Sequence, residues 1–142
     1  MKSTRRAGNY SITLDQVKLS WCIRDRLQGM KPFLIPVCLE KNASGFFLKC
    51  SAIEKCRRLG LRVGLLRPIT LYPFPHKAFD EVVDRTKAFL VVEMSMGQML
   101  DDVKIAVAGR KPISFYGRTG GIVPTPEEIV KNVQAILGGS RA

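Results

Sequence analysis

The pattern of apolar and polar positions changes period sharply between Lys87 and Val107. Ala88 to Val92 is an unbroken apolar run, the length and composition of a strand buried on both faces. Beyond it, Met96, Met99, Leu100, Val103 and Val107 recur at helical spacing, with Asp101, Asp102 and Lys104 on the opposite side. Ser95 stands where an N-cap belongs, and Gly97 allows close approach of the backbone to a neighbour. Strand, tight turn and helix in this order make half of a βαβ unit. The turn falls at the carboxyl end of the strand, where α/β folds place ligands and partners.

The flanking sequence extends the alternation. Ala52, Ile53, Cys56 and Leu59 form an apolar stripe that Gly60 ends. Arg62 to Arg67 reads as a strand, with Val63, Leu65 and Leu66 as its apolar content and Pro68 closing it. Thr70 to His76 contains Pro73 and Pro75 and reads as a stiff connection. Phe79, Val82 and Val83 predict a short helix before the central strand. Gly109 is the expected C-cap of the central helix, and Ile113 to Tyr116 a further strand opened by Pro112. Gly117 to Gly121 is a glycine-rich turn. Thr125 is placed to cap a last helix, with Pro126 in its first turn and Glu127 and Glu128 at its positive dipole end. Ile129, Val133, Ile136 and Leu137 form its buried face, and Gly138-Gly139 its stop.

Helices alternating with strands predict an α/β fold of three layers, with a mostly parallel sheet and right-handed crossovers. Three strands are few for a sheet covered on both sides, so a fourth and a fifth are expected from residues before 51. That is where the pattern is weakest. Thr13, with Gln16 three residues on, suggests a helix start that continues weakly through Trp21 to Arg26. Lys31 to Leu39 has strand character, but Pro32 and Pro36 demote it to an edge or a loop. Asn42 to Gly45 signals a turn.

Composition narrows the function classes. A chain of 142 residues with 46% apolar and 25% charged side chains suits one ordinary globular domain. No apolar run approaches the length of a membrane span, and Met1 to Tyr10 lacks a signal-peptide core, so a cytoplasmic location is expected. The formal charge of +11 raises nucleic acid as a partner, but more than half of that surplus falls in residues 1–50. Arg57, Arg58 and Arg62 are the nearest approach to a basic cluster, and no aromatic residues interleave with them. A solvated helix face accounts for them better. Cys22, Cys38, Cys50 and Cys56 contain no paired spacing, and His76 is the single histidine, so free thiols are expected and neither zinc nor disulfides.

Few residues invite chemistry. Gly117-Arg118-Thr119-Gly120-Gly121 lies between a strand and a helix N-terminus, where amides can hold an anion, but it lacks the spacing of a nucleotide fingerprint. A packing turn is expected there, with a phosphate or carboxylate contact by Arg118 as the alternative. Glu93 ends a buried strand with no second carboxylate or histidine to pair with, so a hydrogen bond or salt bridge at an interface is preferred to acid catalysis. Met94, Met96 and Met99 could offer an adaptable partner surface, but core filling by Met96 and Met99 is the expectation. Arg67, ending a strand, needs carboxylate or carbonyl partners. His76 is expected at the surface.

Three motifs then carry a resemblance: Gly64 to Pro75 (Gly-Leu-Leu-Arg-Pro-Ile-Thr-Leu-Tyr-Pro-Phe-Pro), Val92 to Met99 (Val-Glu-Met-Ser-Met-Gly-Gln-Met), and Phe115 to Gly121 with Pro124 to Glu128. Together they resemble the alpha subunit of 2-oxoacid:ferredoxin oxidoreductases, in particular the 3-methyl-2-oxobutanoate (2-ketoisovalerate) type. The resemblance covers residues 51–142 and corresponds to that subunit's C-terminal domain, so it implies a transketolase C-terminal-like fold, here incomplete. It implies membership of an enzyme that decarboxylates a 2-oxoacid oxidatively with coenzyme A, giving an acyl-CoA and passing electrons to ferredoxin. Thiamine diphosphate and iron–sulfur clusters belong to the implied holoenzyme and none to this chain, whose partners would be the other subunits. No catalytic, cofactor-binding or metal residue is assigned; Arg67, Glu93, Gln98 and Arg118 are the candidate interface. The chain alone is expected to be inactive.

Residues 1–50 do not share the resemblance. Cys22 to Arg26 (Cys-Ile-Arg-Asp-Arg) is what a transposon mosaic end used in sequencing-library preparation encodes in one frame. The expectation is a mis-joined reading frame, foreign to about Arg26 and out of frame to about Cys50. The alternative is a genuine divergent N-terminus. The rival reading of the whole is a free-standing α/β interaction module, in which residues 1–50 contribute strands; a nucleic-acid binder is a distant third.

Overall fold

The computed structural model describes residues 3–6, 9–14, 17–22, 34–38, 43–68 and 71–138, with side chains from residue 51 onward. Strands β1 (Ser3–Arg6), β2 (Asn9–Leu14), β3 (Val17–Cys22) and β4 (Leu34–Cys38) precede helix α1 (Ala43–Arg58). Then follow β5 (Leu65–Pro68), α2 (His76–Val83), β6 (Ala88–Glu93), α3 (Gln98–Val107), β7 (Ile113–Gly117) and α4 (Pro126–Gly138). One sheet runs in the order β1-β2-β3-β5-β4-β6-β7. Strands β5, β4, β6 and β7 are parallel, and β3 joins β5 antiparallel from Val17↔Pro68 to Ser20↔Leu65.

Every residue of β6 is buried, as its unbroken apolar run predicts. Alternate side chains leave it on opposite faces. Phe89 and Val91 join Leu66, Phe79, Val83, Met99 and Val103 in a core under α2 and α3. Ala88, Leu90 and Val92 join Ile53, Cys56, Leu65, Ile129 and Val133 under α1 and α4. The fold is thus the expected three-layer α/β arrangement. The connection from β4 through α1 to β5 steps one way across the sheet. Those from β5 to β6 and from β6 to β7 step the other way. The direction reverses between β4 and β6, so the carboxyl end of β6 stands at the topological switch point.

The expected fourth and fifth strands do come from residues before 51, but the local expectations there need correction. The helix start at Thr13 is instead a hairpin, β2 pairing β3 from Asn9↔Cys22 to Leu14↔Val17. Tyr10, Ile12 and Leu14 alternate with Ser11 and Thr13, a period of two that outweighs the short capping pattern. The segment demoted for its prolines supplies β4, which lies inside the sheet and pairs with β6 from Leu34↔Ala88 to Cys38↔Val92. Its ladder to β5 is a single pair, Val37↔Leu66, so the donor that Pro36 lacks costs little in ladder bonds. Ala43 to Gly45 belongs to α1 and not to a turn, and α1 begins well before Ser51. The Arg62–Arg67 strand is shifted to Leu65–Pro68. The helix expected through 23–26, the ends of the 31–39 strand, Asn42 and the stop at Gly139 lie outside the described residues.

Phe79 links the layers: its ring stacks on Phe74 at 5.4 Å between centroids and meets Phe89 at 6.1 Å. Truncating Phe89 to Ala should therefore cost about 3–5 kcal/mol of unfolding free energy in a urea titration. Ile105→Ala, on the exposed side of α3, should stay within about 0.5 kcal/mol of the parent.

Candidate functional site

All four candidate interface residues converge on one edge of the molecule. Arg67 lies near the end of β5, Glu93 ends β6, Gln98 opens α3, and Arg118 follows β7 directly. Because these strands are parallel, this is their common carboxyl end, at the switch point.

Glu93 organises the edge. It shares the face of β6 that carries Phe89 and Val91, and it is only 3% exposed. Its carboxylate accepts hydrogen bonds from the backbone amides of Met99 (3.1 Å) and Leu100 (3.3 Å) in the first turn of α3. The Ser95 hydroxyl donates to the same group at 2.7 Å. Two helix-end amides are thus satisfied by a buried carboxyl group at the positive end of the helix dipole. This corrects the expectation for Ser95, which is not the N-cap. Gly97 takes that position at φ 104° without a side-chain cap bond, a left-handed conformation that suits glycine. It also corrects Met96: with α3 starting at Gln98, Met96 lies in the preceding loop and is 84% exposed, whereas Met99 is buried as expected. The α3 C-cap is Ala108 at φ 51°, with Gly109 following it.

Strand β7 locks the other side of the loop. The Arg118 amide donates to the Glu93 carbonyl at 3.2 Å. A Cβ on Gly117 would stand 2.8 Å from the Ser95 carbonyl oxygen, so only glycine fits there. The sequence named Gly117 as a turn residue and missed this close approach.

Arg118 is exposed and engaged within the chain. It pairs with Glu128, and its Nε donates to the Tyr116 hydroxyl at 3.1 Å. Glu128 and Thr125 form a reciprocal capping box: the Glu128 amide donates to Thr125 Oγ1 at 3.3 Å, and the Thr125 amide to Glu128 Oε2 at 2.9 Å. The Thr125 cap is as the sequence predicted. The anion position at the start of α4 is consequently taken by a carboxylate of the chain itself. That Thr125 amide bond, aided by Arg118, holds the Glu128 carboxyl down at about 2.

Among the described residues no group of three or more His, Cys, Asp or Glu side chains could hold a metal ion. Cys56 is buried between α1 and α4, where desolvation pushes its thiol up to about 11. His76 is exposed at the start of α2, beside the Phe74 ring. Arg57 donates from Nε and Nη2 to the Val63 carbonyl, at 3.2 and 3.1 Å, and so closes the end of α1. No described helix is long and apolar enough to cross a membrane.

Two outcomes follow from this geometry. Glu93→Ala strips the acceptor from two helix-end amides and should lower stability by about 1–3 kcal/mol. Hydrogen exchange should accelerate at Met99 and Leu100 first, and Glu93→Gln should lose less. For Glu128, a folded pKa below the unfolded value means that its contribution is complete above about pH 4.5 and is lost as pH falls toward 2. Carboxyl NMR should find its midpoint near 2, and Arg118→Met should raise that midpoint.

Comparison with known proteins agrees with this architecture. Residues 48–129 match the family described as pyruvate:ferredoxin oxidoreductase core domain II, a span that holds all three sequence motifs. Ketoisovalerate oxidoreductase subunit VorB of Methanothermobacter marburgensis is 40% identical over 90 residues, covering 63% of this chain and 25% of that protein. 2-Oxoglutarate synthase subunit KorA of Methanocaldococcus jannaschii is 35% identical over 89 residues, 61% of this chain and 22% of its own length. The chain thus spans about a quarter of the curated relatives it matches. In fold it is similar to the 2-oxoglutarate:ferredoxin oxidoreductase of Magnetococcus marinus, with a TM-score of 0.67 at 22% identity over 86% of this chain and 20% of that one. An inactive β4 tetramer of a split-gene transketolase gives 0.62 at 16% identity, over 76% and 39% of the two chains. With more than half of its length matched, the chain belongs to the pyruvate:ferredoxin oxidoreductase core domain II family.

Proposed function

We propose that this domain packs against and aligns the catalytic parts of a 2-oxoacid:ferredoxin oxidoreductase of the ketoisovalerate type and has no turnover by itself. The observation that carries the reading is the 40% identity to a ketoisovalerate oxidoreductase subunit over 90 residues. In the reaction proposed for the whole enzyme, a branched-chain 2-oxoacid loses carbon dioxide and its acyl group is joined to the thiol of coenzyme A. The two electrons released pass to ferredoxin. Thiamine diphosphate would supply the carbanion chemistry in that enzyme.

The side chains described here do not fit either implied cofactor. A cluster needs several thiolates, and Cys56 is a neutral thiol sealed in the core. Among the described residues the one buried carboxylate, Glu93, spends its acceptors on Ser95, Met99 and Leu100. Neither a histidine nor a second carboxylate is among these hydrogen-bond partners. These facts support a structural part in the enzyme, with Arg67, Glu93, Gln98 and Arg118 at or behind the contact.

A second reading has one observation in its favour. Residues 1–50, mostly outside the family match, contribute β1 to β4 to the sheet, which suits a free-standing interaction module with its own N-terminus. The proposed domain boundary near residue 51, with foreign sequence before it, makes the opposite demand. An uninterrupted read of the gene through the Ser51 codon separates the two.

The activity test uses 2-ketoisovalerate, coenzyme A and ferredoxin. The isolated chain should reduce no ferredoxin, the assembled enzyme should reduce it, and an assembly lacking this domain should lose that activity. Turnover by the chain alone, or full activity without the domain, would overturn the reading.

A further inference from the structure

The exposed apolar side chains are not scattered. Apart from Leu59 and Ile105, every large apolar side chain standing exposed among the described residues lies at the carboxyl edge of the parallel strands. Tyr72, 96% exposed, follows β5; Met94 and Met96 follow β6; Ile122 and Val123 follow β7; and Phe115 sits on β7 against the 94–97 loop. The same loops are bare of charge. Residues 71–75, 94–98 and 119–126 contain no Asp, Glu, Lys, Arg or His in a chain whose formal charge is +11. Of the two guanidinium groups at this edge, Arg67 and Arg118, the latter is already neutralised by Glu128.

We infer that this edge is a permanent docking face, and that its occupant is a different domain or subunit of the oxidoreductase, apolar and uncharged where it touches and acidic around the contact. The inference rests on the assignment to that enzyme. A charge-depleted centre rich in methionine and aromatic side chains is the composition of a buried interface core and not of a solvated rim. Two methionines on a loop give a surface that adapts to its partner. Charge selects the partner. Residues 51–142 alone carry fourteen Lys/Arg against nine Asp/Glu, so face-to-face pairing of two copies would bring two positive bodies together, whereas an acidic partner is attracted and correctly oriented. Length points the same way, since the matched subunit is about four times as long as the stretch it shares with this chain. Glu93 is a positioning residue for this face: by fixing the first turn of α3 from within, it holds the loop that carries Met94 and Met96 outward.

The test is methionine oxidation by dilute peroxide, read by peptide mass spectrometry, on the chain alone and on the complex assembled with the remaining subunits. Met94 and Met96 should oxidise readily in the free chain and be protected at least about tenfold in the complex, a factor worth about 1.4 kcal/mol. Tyr72→Lys with Met96→Lys should weaken assembly by about tenfold or more, with an unchanged thermal melt. Ile105→Lys, on the outer side of α3, should leave assembly intact. A complex that forms with Met94 and Met96 still fully reactive overturns the docking face and leaves the enzyme assignment standing. Failure of the unaltered chain to assemble overturns that assignment, and the inference with it. A stable homodimer in sedimentation equilibrium, with Met96 protected, overturns the choice of a different partner.

Discussion

A buried carboxylate holding the end of a helix is the constraint on which this edge of the molecule depends. Glu93 cannot be moved without releasing α3, because the helix begins where the carboxylate meets its amides and not where a local capping residue stands. The side chain reaches that position because it is the last member of the inward row Phe89, Val91, Glu93. Core packing of one strand therefore sets the register of the next helix. The desolvation cost of burying this polar group is offset by three donors.

Other helix ends, at both edges of the sheet, are satisfied in a similar way. The start of α4 is closed by Thr125 and Glu128, the end of α1 by Arg57, and the end of α3 by Arg110, which donates to the Ala106 and Val107 carbonyls at 2.9 Å and bridges to Asp80 on α2. Polar groups at the helix ends are thus engaged inside the domain. What the carboxyl edge offers outward is shape and apolar surface, a fitting contribution for a part whose relatives are named as subunits.

The legible parts of the fold were those with a strong period and little competition. The β6–α3–β7–α4 succession was readable because a fully buried strand, an amphipathic helix and a capping box each leave an unambiguous pattern. From Thr13 onward a four-residue capping signature competes with the longer alternation of the hairpin and loses, and in β4 the apolar content outweighs two prolines. At the site, the four candidate interface residues do fall on one edge of the sheet, but what Glu93 does there is hidden from the sequence. It acts on amides six and seven residues away, a contact made through the turn of the chain and invisible to local spacing. Met96 leaves the helical stripe for the same reason, since α3 starts at Gln98 behind a Gly97 cap and not behind Ser95.

Cys56 adds a property of another kind. Its thiol lies in the layer where α1 and α4 close over the sheet, fully shielded and kept protonated by that burial. A reagent that needs a thiolate must wait for the two helices to part. Alkylation of this one sulfur is therefore a clock for the breathing of the α1–α4 layer. Among the described residues the α2–α3 layer holds no cysteine, so this label reports the opening of one side of the sheet separately from the other.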